Sequence, residues 1–155
     1  MTVHEVVRGR REVARSVLDR LPEWFGRPEA LEAYVSGAAD LPMFAARGPD
    51  GTVIGFLSLR EQTAAAVEIF VLGVVQEHHR SGIGSALFAH AEHHFARQGY
   101  RYLTVKTLAA SHPDPHYAAT RRFYEAIGFQ PLEVFPTLWD ADTPCLLMVK
   151  PLSAS

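Results

Sequence analysis

In the stretch HHRSGIGSAL, residues 78–87, two glycines stand behind a run of basic side chains and directly before an apolar-periodic segment. A helix leaves its first backbone N–H groups unpaired and carries partial positive charge at that end, so glycines there let an anion come close, phosphate above all. Gly82 and Gly84 do not complete either of two common phosphate loops. A dinucleotide fingerprint needs Gly or Ala where Leu87 stands, and an acid closing the next strand, where Lys106, Thr107 and Leu108 stand instead. No GK[ST] follows, which removes a nucleoside triphosphate loop. Taken alone, GxG also fits a tight turn that binds nothing.

The eight histidines raise metal binding as a second chemistry. His90 and His94 are spaced one helical turn apart, and HPDPH sets Asp114 between His112 and His116. HAEHH, however, has Glu92 in the wrong register for H-E-x-x-H, and two prolines keep the second group from a helical pair, so no metal is expected. Cys145 is the only cysteine. It excludes an internal disulfide, and its setting PCLLMV reads as an inert strand thiol.

The elements that must carry these groups alternate in type. TVHEVV reads as a first strand, REVARSVLDRL and RPEALEAYVSG as two helices, and residues 43–62 as a hairpin turning at Asp50-Gly51. VEIFVLGVV, residues 67–75, is a β-branched strand interrupted by Gly73, which suggests a bulge or a place where something approaches the backbone. Ile83, Leu87, Ala91 and Phe95 repeat at helical spacing over residues 82–98, and YRYLTVKTL follows as a strand. Residues 67–108 therefore read as strand, helix, strand, a unit that implies two parallel strands with a right-handed crossover. A helix over about 117–127 and two closing strands, around 129–138 and 144–151, complete the chain.

With 155 residues and 48% hydrophobic composition, the chain suits one domain spanning residues 1–155. Lys and Arg total 15 against 17 Asp and Glu, with no long block of either sign, so nucleic acid and anionic lipid are not expected partners and a small ligand is. No apolar run reaches the roughly 20 residues of a spanning helix, and the start lacks a signal-peptide stretch, so a cytoplasmic protein is expected.

Two stretches together carry a family resemblance. LGVVQEHHRSGIGSAL resembles the acetyl-CoA-binding motif of the GNAT acyltransferase superfamily, a bulged strand running into [Q/R]-x-x-G-x-[G/A] and a helix. RRFYEAIGF resembles that superfamily's second signature, a Tyr-bearing helix followed by Gly-Phe. The match covers roughly residues 40–150, with His79 at the usual Gln or Arg position, Arg80 one place later, and Gln76 where proline is common. It implies a mixed α/β (α+β) fold: a mostly antiparallel sheet of about six or seven strands, one parallel pair splayed around the cofactor, and about four flanking helices.

The resemblance implies an N-acetyltransferase that passes the acetyl group of acetyl-CoA, its co-substrate, to a primary amine of a small molecule or peptide by direct attack in a ternary complex. The alternative is a coenzyme-A-binding sensor or scaffold on the same fold. His79, Arg80, Ser81, Gly82, Ile83, Gly84 and Ser85 are expected to hold the pyrophosphate. Leu72, Gly73 and Val74 are expected to pair with the pantetheine amides where the parallel strands part, and the Val74 N–H to polarise the thioester carbonyl. Tyr124 matches the family's general acid, a phenol near pKa 10 beside a thiol near 8.5; packing on the helix's apolar face is its other reading. Glu68 stands where some members carry a base, and as a strand acid it either faces solvent or enters the cleft. His112 and His116 lie in a loop expected at the acceptor entrance, and Trp24 and Phe25 in a segment that commonly shapes the acceptor pocket. Arg121 and Arg122 read as a solvated helical face, with pairing to a coenzyme phosphate or a substrate carboxylate as their other reading, and homodimers are common for such folds.

Overall fold

The computed structural model describes residues 1–22, 27–79, 81–111 and 114–153. Trp24, Phe25, Arg80 and His112 lie outside the described residues. The elements run β1 (Thr2–Glu5), α1 (Arg10–Leu18), α2 (Pro28–Ala38), β2 (Met43–Arg47), β3 (Val53–Glu61) and β4 (Ala66–Val74). A short 3₁₀ turn (Gln76–His78) leads to α3 (Ile83–Arg97), β5 (Tyr102–Leu108), α4 (Pro115–Ala126), β6 (Gln130–Asp140) and β7 (Thr143–Pro151). The strands form a 7-stranded sheet in the order β1-β2-β3-β4-β5-β7-β6. Every neighbouring pair is antiparallel except β4 and β5, the two strands joined through α3.

The helices form because their apolar residues recur on one face, and they stay because those faces are buried. On α3, Ile83, Leu87, Phe88, Ala91 and Phe95 are buried, each larger side chain contributing roughly 1.5–3 kcal/mol relative to exposure. Missing Cβ atoms show which face each helix covers. A Cβ on Gly55 in β3 meets Ile83 Cγ2 of α3 at 3.1 Å, whereas one on Gly73 in β4 meets Val17 Cγ1 at 3.1 Å and Leu18 Cδ2 at 3.3 Å, both from α1. Gly55 and Gly73 are offset by one rung of the same ladder, so α1 and α3 cover opposite faces. α2 joins the α1 face, where a Cβ on Gly37 lands 2.5 Å from Phe70 Cζ. α4 joins the α3 side, its Phe123 and Tyr124 rings 5.8 and 6.0 Å from Phe88.

Two features of β4 set up the site. The β3–β4 register slips between Ser58 and Leu59, with Ser58 opposite Val71 and Leu59 opposite Ile69, so Phe70 is the extra residue of a bulge. The bulge expected at Gly73 therefore falls at Phe70, and what approaches the backbone at Gly73 is α1. In-register pairing of β4 with β5 covers only Ala66↔Tyr102, Val67↔Leu103 and Glu68↔Thr104. The parallel strands thus part after Glu68, well before Gly73.

Candidate active site

Where β4 and β5 diverge, the outer edge of β4 is exposed to the gap. The Val75 N–H donates to Ile54 O at 2.9 Å, which directs the main chain of Val75 and Gly73 toward β3. By the alternation of an antiparallel ladder, Leu72 and Val74 direct their N–H and C=O groups into the fork. Gly73 spends its backbone on the sheet and its empty side-chain space on α1. At Val74 the carbonyl accepts from His79 Nε2 at 2.6 Å, so His79 reaches back to the fork's rim and the N–H of Val74 lies on the open edge.

At the far end of β4 the chain turns into α3. Gly82 is the N-cap, with φ 83° and ψ 5°, a left-handed conformation that favours glycine. No side chain caps this helix end and its first turn holds no acid, while the first intrahelical bond is Ala86 N–H to Gly82 O. The amides of Ile83, Gly84 and Ser85 consequently have no intrahelical acceptor. A Cβ built on Gly82 meets no atom of the described residues within 4 Å. Gly84 differs: its Cβ comes 2.9 Å from Phe123 Cζ, making it the close-contact residue between α3 and α4. The two glycines therefore have separate causes. Ser81 Oγ donates to His78 O and holds the turn ahead of them, Ile83 is buried, and Ser85 is exposed.

Tyr124 is buried, 5% exposed, with its ring 6.0 Å from Phe88, 5.6 Å from Phe123 and 5.4 Å from Phe129. Burial pushes its phenol well above the ordinary value, with smaller contributions from Tyr117 and Tyr34. Tyr34 of α2 and Tyr117 and Tyr124 of α4 are close enough to influence one another electrostatically. Tyr34 stacks edge-on against the bulged Phe70 at 5.5 Å, and burial raises the pKa of Tyr34 and Tyr117 as well. The matched basicity expected of a phenol near 10 and a thiol near 8.5 is thereby lost: in this setting the tyrosine holds its proton more tightly.

Glu68 neither faces solvent nor stands free in the cleft. Its carboxylate is 5% exposed and accepts from Arg60 Nε at 2.7 Å and from Lys106 Nζ. Arg121, read from sequence as a solvated residue, donates from Nη1 to Leu108 O at 2.6 Å and ties α4 to the end of β5. His116 is exposed in the first turn of α4, where Asp114 accepts from its backbone N–H at 2.9 Å and caps the helix. On α3, His90 and His94 lie 5.9 and 5.3 Å from the Phe44 ring. The Asp140 carboxyl at the β6–β7 turn is held low first by the Thr143 hydroxyl, then by the backbone N–H groups of Asp142 and Thr143, and least by Arg27.

A family model for acetyltransferases of the GNAT family matches residues 11–129. The chain belongs to the GNAT family. It is an acyltransferase of mixed α/β fold, and solved structures of the family share that fold over almost its whole length. A GNAT-family protein from Desulfovibrio desulfuricans superposes with a TM-score of 0.80 at 23% identity, covering 98% of this chain and 100% of the other. An aminoglycoside 6'-N-acetyltransferase complexed with coenzyme A gives 0.78 at 18% identity, covering 99% and 98%. The ribosomal-protein-S18-alanine N-acetyltransferase of Escherichia coli gives 0.75 at 18% identity, covering 99% and 95%. Comparison with curated protein sequences finds no match. Among the described residues of this GNAT chain no helix is long and apolar enough to cross a membrane.

Sequence reasoning missed five residues around the fork: Arg60, Lys106, Tyr34, Phe70 and Tyr117. Lys106 drew notice as the wrong residue for a dinucleotide site. Nothing local marks these residues, because they meet through strand pairing and helix packing between distant segments.

Proposed function

We propose that the chain transfers the acetyl group of acetyl-CoA to a primary amine of a small molecule or peptide, by direct attack with both substrates bound. The observation that carries this reading is the fork: β4 main-chain groups beyond the last β5 rung lead to an uncapped helix end whose N-cap side-chain space meets no described residue. That combination fits a ligand with amides along one stretch and an anion at its end. Acetyl-CoA supplies an acyl group activated as a thioester. In this reading the amides of Ile83, Gly84 and Ser85, with Gly82 and Ser81 in the turn, hold the diphosphate, and Arg80 adds a cation. His79 steadies the rim through the Val74 carbonyl. Leu72 and the Val74 N–H pair with the pantetheine arm, and the latter polarises the carbonyl.

Tyr124 keeps its proton in this reading and donates a hydrogen bond to the departing sulfur, the raised pKa making complete transfer unfavourable. The amine enters between α2 and the start of α4, past Tyr34, Phe70 and Tyr117. His116 stands near that mouth, and Trp24, Phe25 and His112 belong to segments flanking it in sequence. An aminoglycoside and a protein's alanine are the acceptors named for two structural neighbours, which makes both amine classes the first to test here.

The test is calorimetry with acetyl-CoA, followed by thiol release across a panel of aminoglycosides, alanine-terminated peptides and simple primary amines. Binding with turnover on one class is expected. Tight binding with no turnover on any amine is the behaviour of a coenzyme-A sensor and refutes the transferase reading.

A further inference from the structure

Glu68 is the last β4 residue in register with β5, opposite Thr104, and beyond this rung the two strands share no main-chain pair. Three strands converge on its carboxylate. Arg60 of β3, its cross-strand partner, approaches Oε1 through Nε at 2.7 Å and Nη2 at 2.5 Å. Lys106 stands on β5 past the last rung, on the same face as Thr104, and sends its ammonium back across the fork to Oε2. A side-chain bridge therefore continues the strand pairing where main-chain hydrogen bonds stop. The bridge has a buried anion at its centre, whereas Arg60 and Lys106 remain partly exposed, at 47% and 28%. Glu68 needs its partners more than they need it.

We propose that Lys106 is a positioning residue. Its pair with Glu68 clasps β4 to β5 at the apex of the fork and fixes how far the strands open along Ile69–Val74, and so sets the fit of the coenzyme arm. Glu68 is accordingly the buried anion of the clasp and not the proton acceptor for the amine. Both of its oxygens are already engaged, and a base needs one directed at the nucleophile. This assignment rests on the acetyl-CoA reading above.

Removing Lys106 leaves Oε2 of the buried carboxylate without its cation, Arg60 holding Oε1 alone, whereas replacing both Glu68 and Lys106 with apolar groups of similar volume is tolerated. That asymmetry supplies the test. Acetyl-CoA affinity is measured by calorimetry for the full chain and for Lys106→Met, Lys106→Arg and the Glu68→Met/Lys106→Met double variant, with thermal unfolding of each. Lys106→Met is expected to weaken binding roughly tenfold or more, Lys106→Arg to stay within about threefold of the parent, and the double variant to recover most of the loss. If Lys106→Met does not fold, the double variant is expected to fold and bind.

Failure of the parent chain to bind acetyl-CoA overturns the functional reading. A parent that binds, beside a Lys106→Met that binds equally well or a double variant no better than the single, overturns the clasp alone. Thiol release with the amine panel checks Glu68 separately. The double variant, which has no carboxylate at position 68, is expected to turn over with whichever amine the parent accepts. Retained affinity with transfer abolished makes Glu68 the proton acceptor and refutes the assignment.

Discussion

Replacing Tyr124 with phenylalanine removes one oxygen and keeps the ring that Phe88, Phe123 and Phe129 enclose. No hydrogen bond links that hydroxyl to another described residue. Folding stability is therefore expected to change by less than about 0.5 kcal/mol, whereas Tyr124→Ala, which empties the ring's place, is expected to cost roughly 3–5 kcal/mol. Catalysis responds differently, because under the proposed role the hydroxyl meets charge only as the thiolate departs. A hydrogen bond to a charged group is worth about 1.5–3 kcal/mol, which converts to a loss in kcat of roughly ten- to hundred-fold. Acetyl-CoA affinity, set by main-chain donors elsewhere, is expected to stay within about twofold. The assay is thiol release at saturating acetyl-CoA, paired with calorimetry and a melting curve. A kcat within about threefold of the parent, or a loss confined to affinity, refutes the assignment of this phenol to the sulfur.

Gly82→Asp is expected to abolish acetyl-CoA binding in calorimetry, since it adds a side chain and negative charge where the diphosphate is proposed to sit. Gly84→Ala pushes a methyl against the Phe123 ring and is expected to cost roughly 1–3 kcal/mol of stability, read as a fall in Tm of several degrees. Burial raises the pKa of Tyr34, Tyr117 and Tyr124 in the folded chain, so their contribution to stability is full below the ordinary value of about 10 and is lost as pH climbs towards the folded values. Phenolate absorbance is accordingly expected to show Tyr124 silent until the chain unfolds; titration of all five tyrosines in the native state near pH 10 contradicts this. The same property predicts no alkaline fall in kcat from Tyr124 up to about pH 10.

The order of elements was legible because it depends on local spacing. The periodicity of α3 predicts a helix over 82–98, and the structure has Ile83–Arg97; the start of α4 falls earlier than expected because Asp114 caps it. Glycines were legible as special positions but not in their reasons. Gly82 is special through its own backbone, whereas Gly73 and Gly84 are special through Val17, Leu18 and Phe123, which no local window contains. The same limit hid the bulge. Phe70 reads as one more member of an apolar strand, and only the β3 register leaves it without a partner. Glu68 was legible as an acid that faces solvent or enters the cleft, but it is buried between two cations from neighbouring strands, which changes what it offers.

The missing side chain of Gly37 gives the Phe70 ring room to lie against α2. Because Phe70 belongs to the same strand as Leu72 and Val74, the wall proposed for the amine is keyed mechanically into the rail proposed for the thioester. Remodelling α2 for another amine is then a constrained engineering problem: its outward residues are free to vary, but any bulk at position 37 displaces the ring and carries the error into the donor half of the molecule.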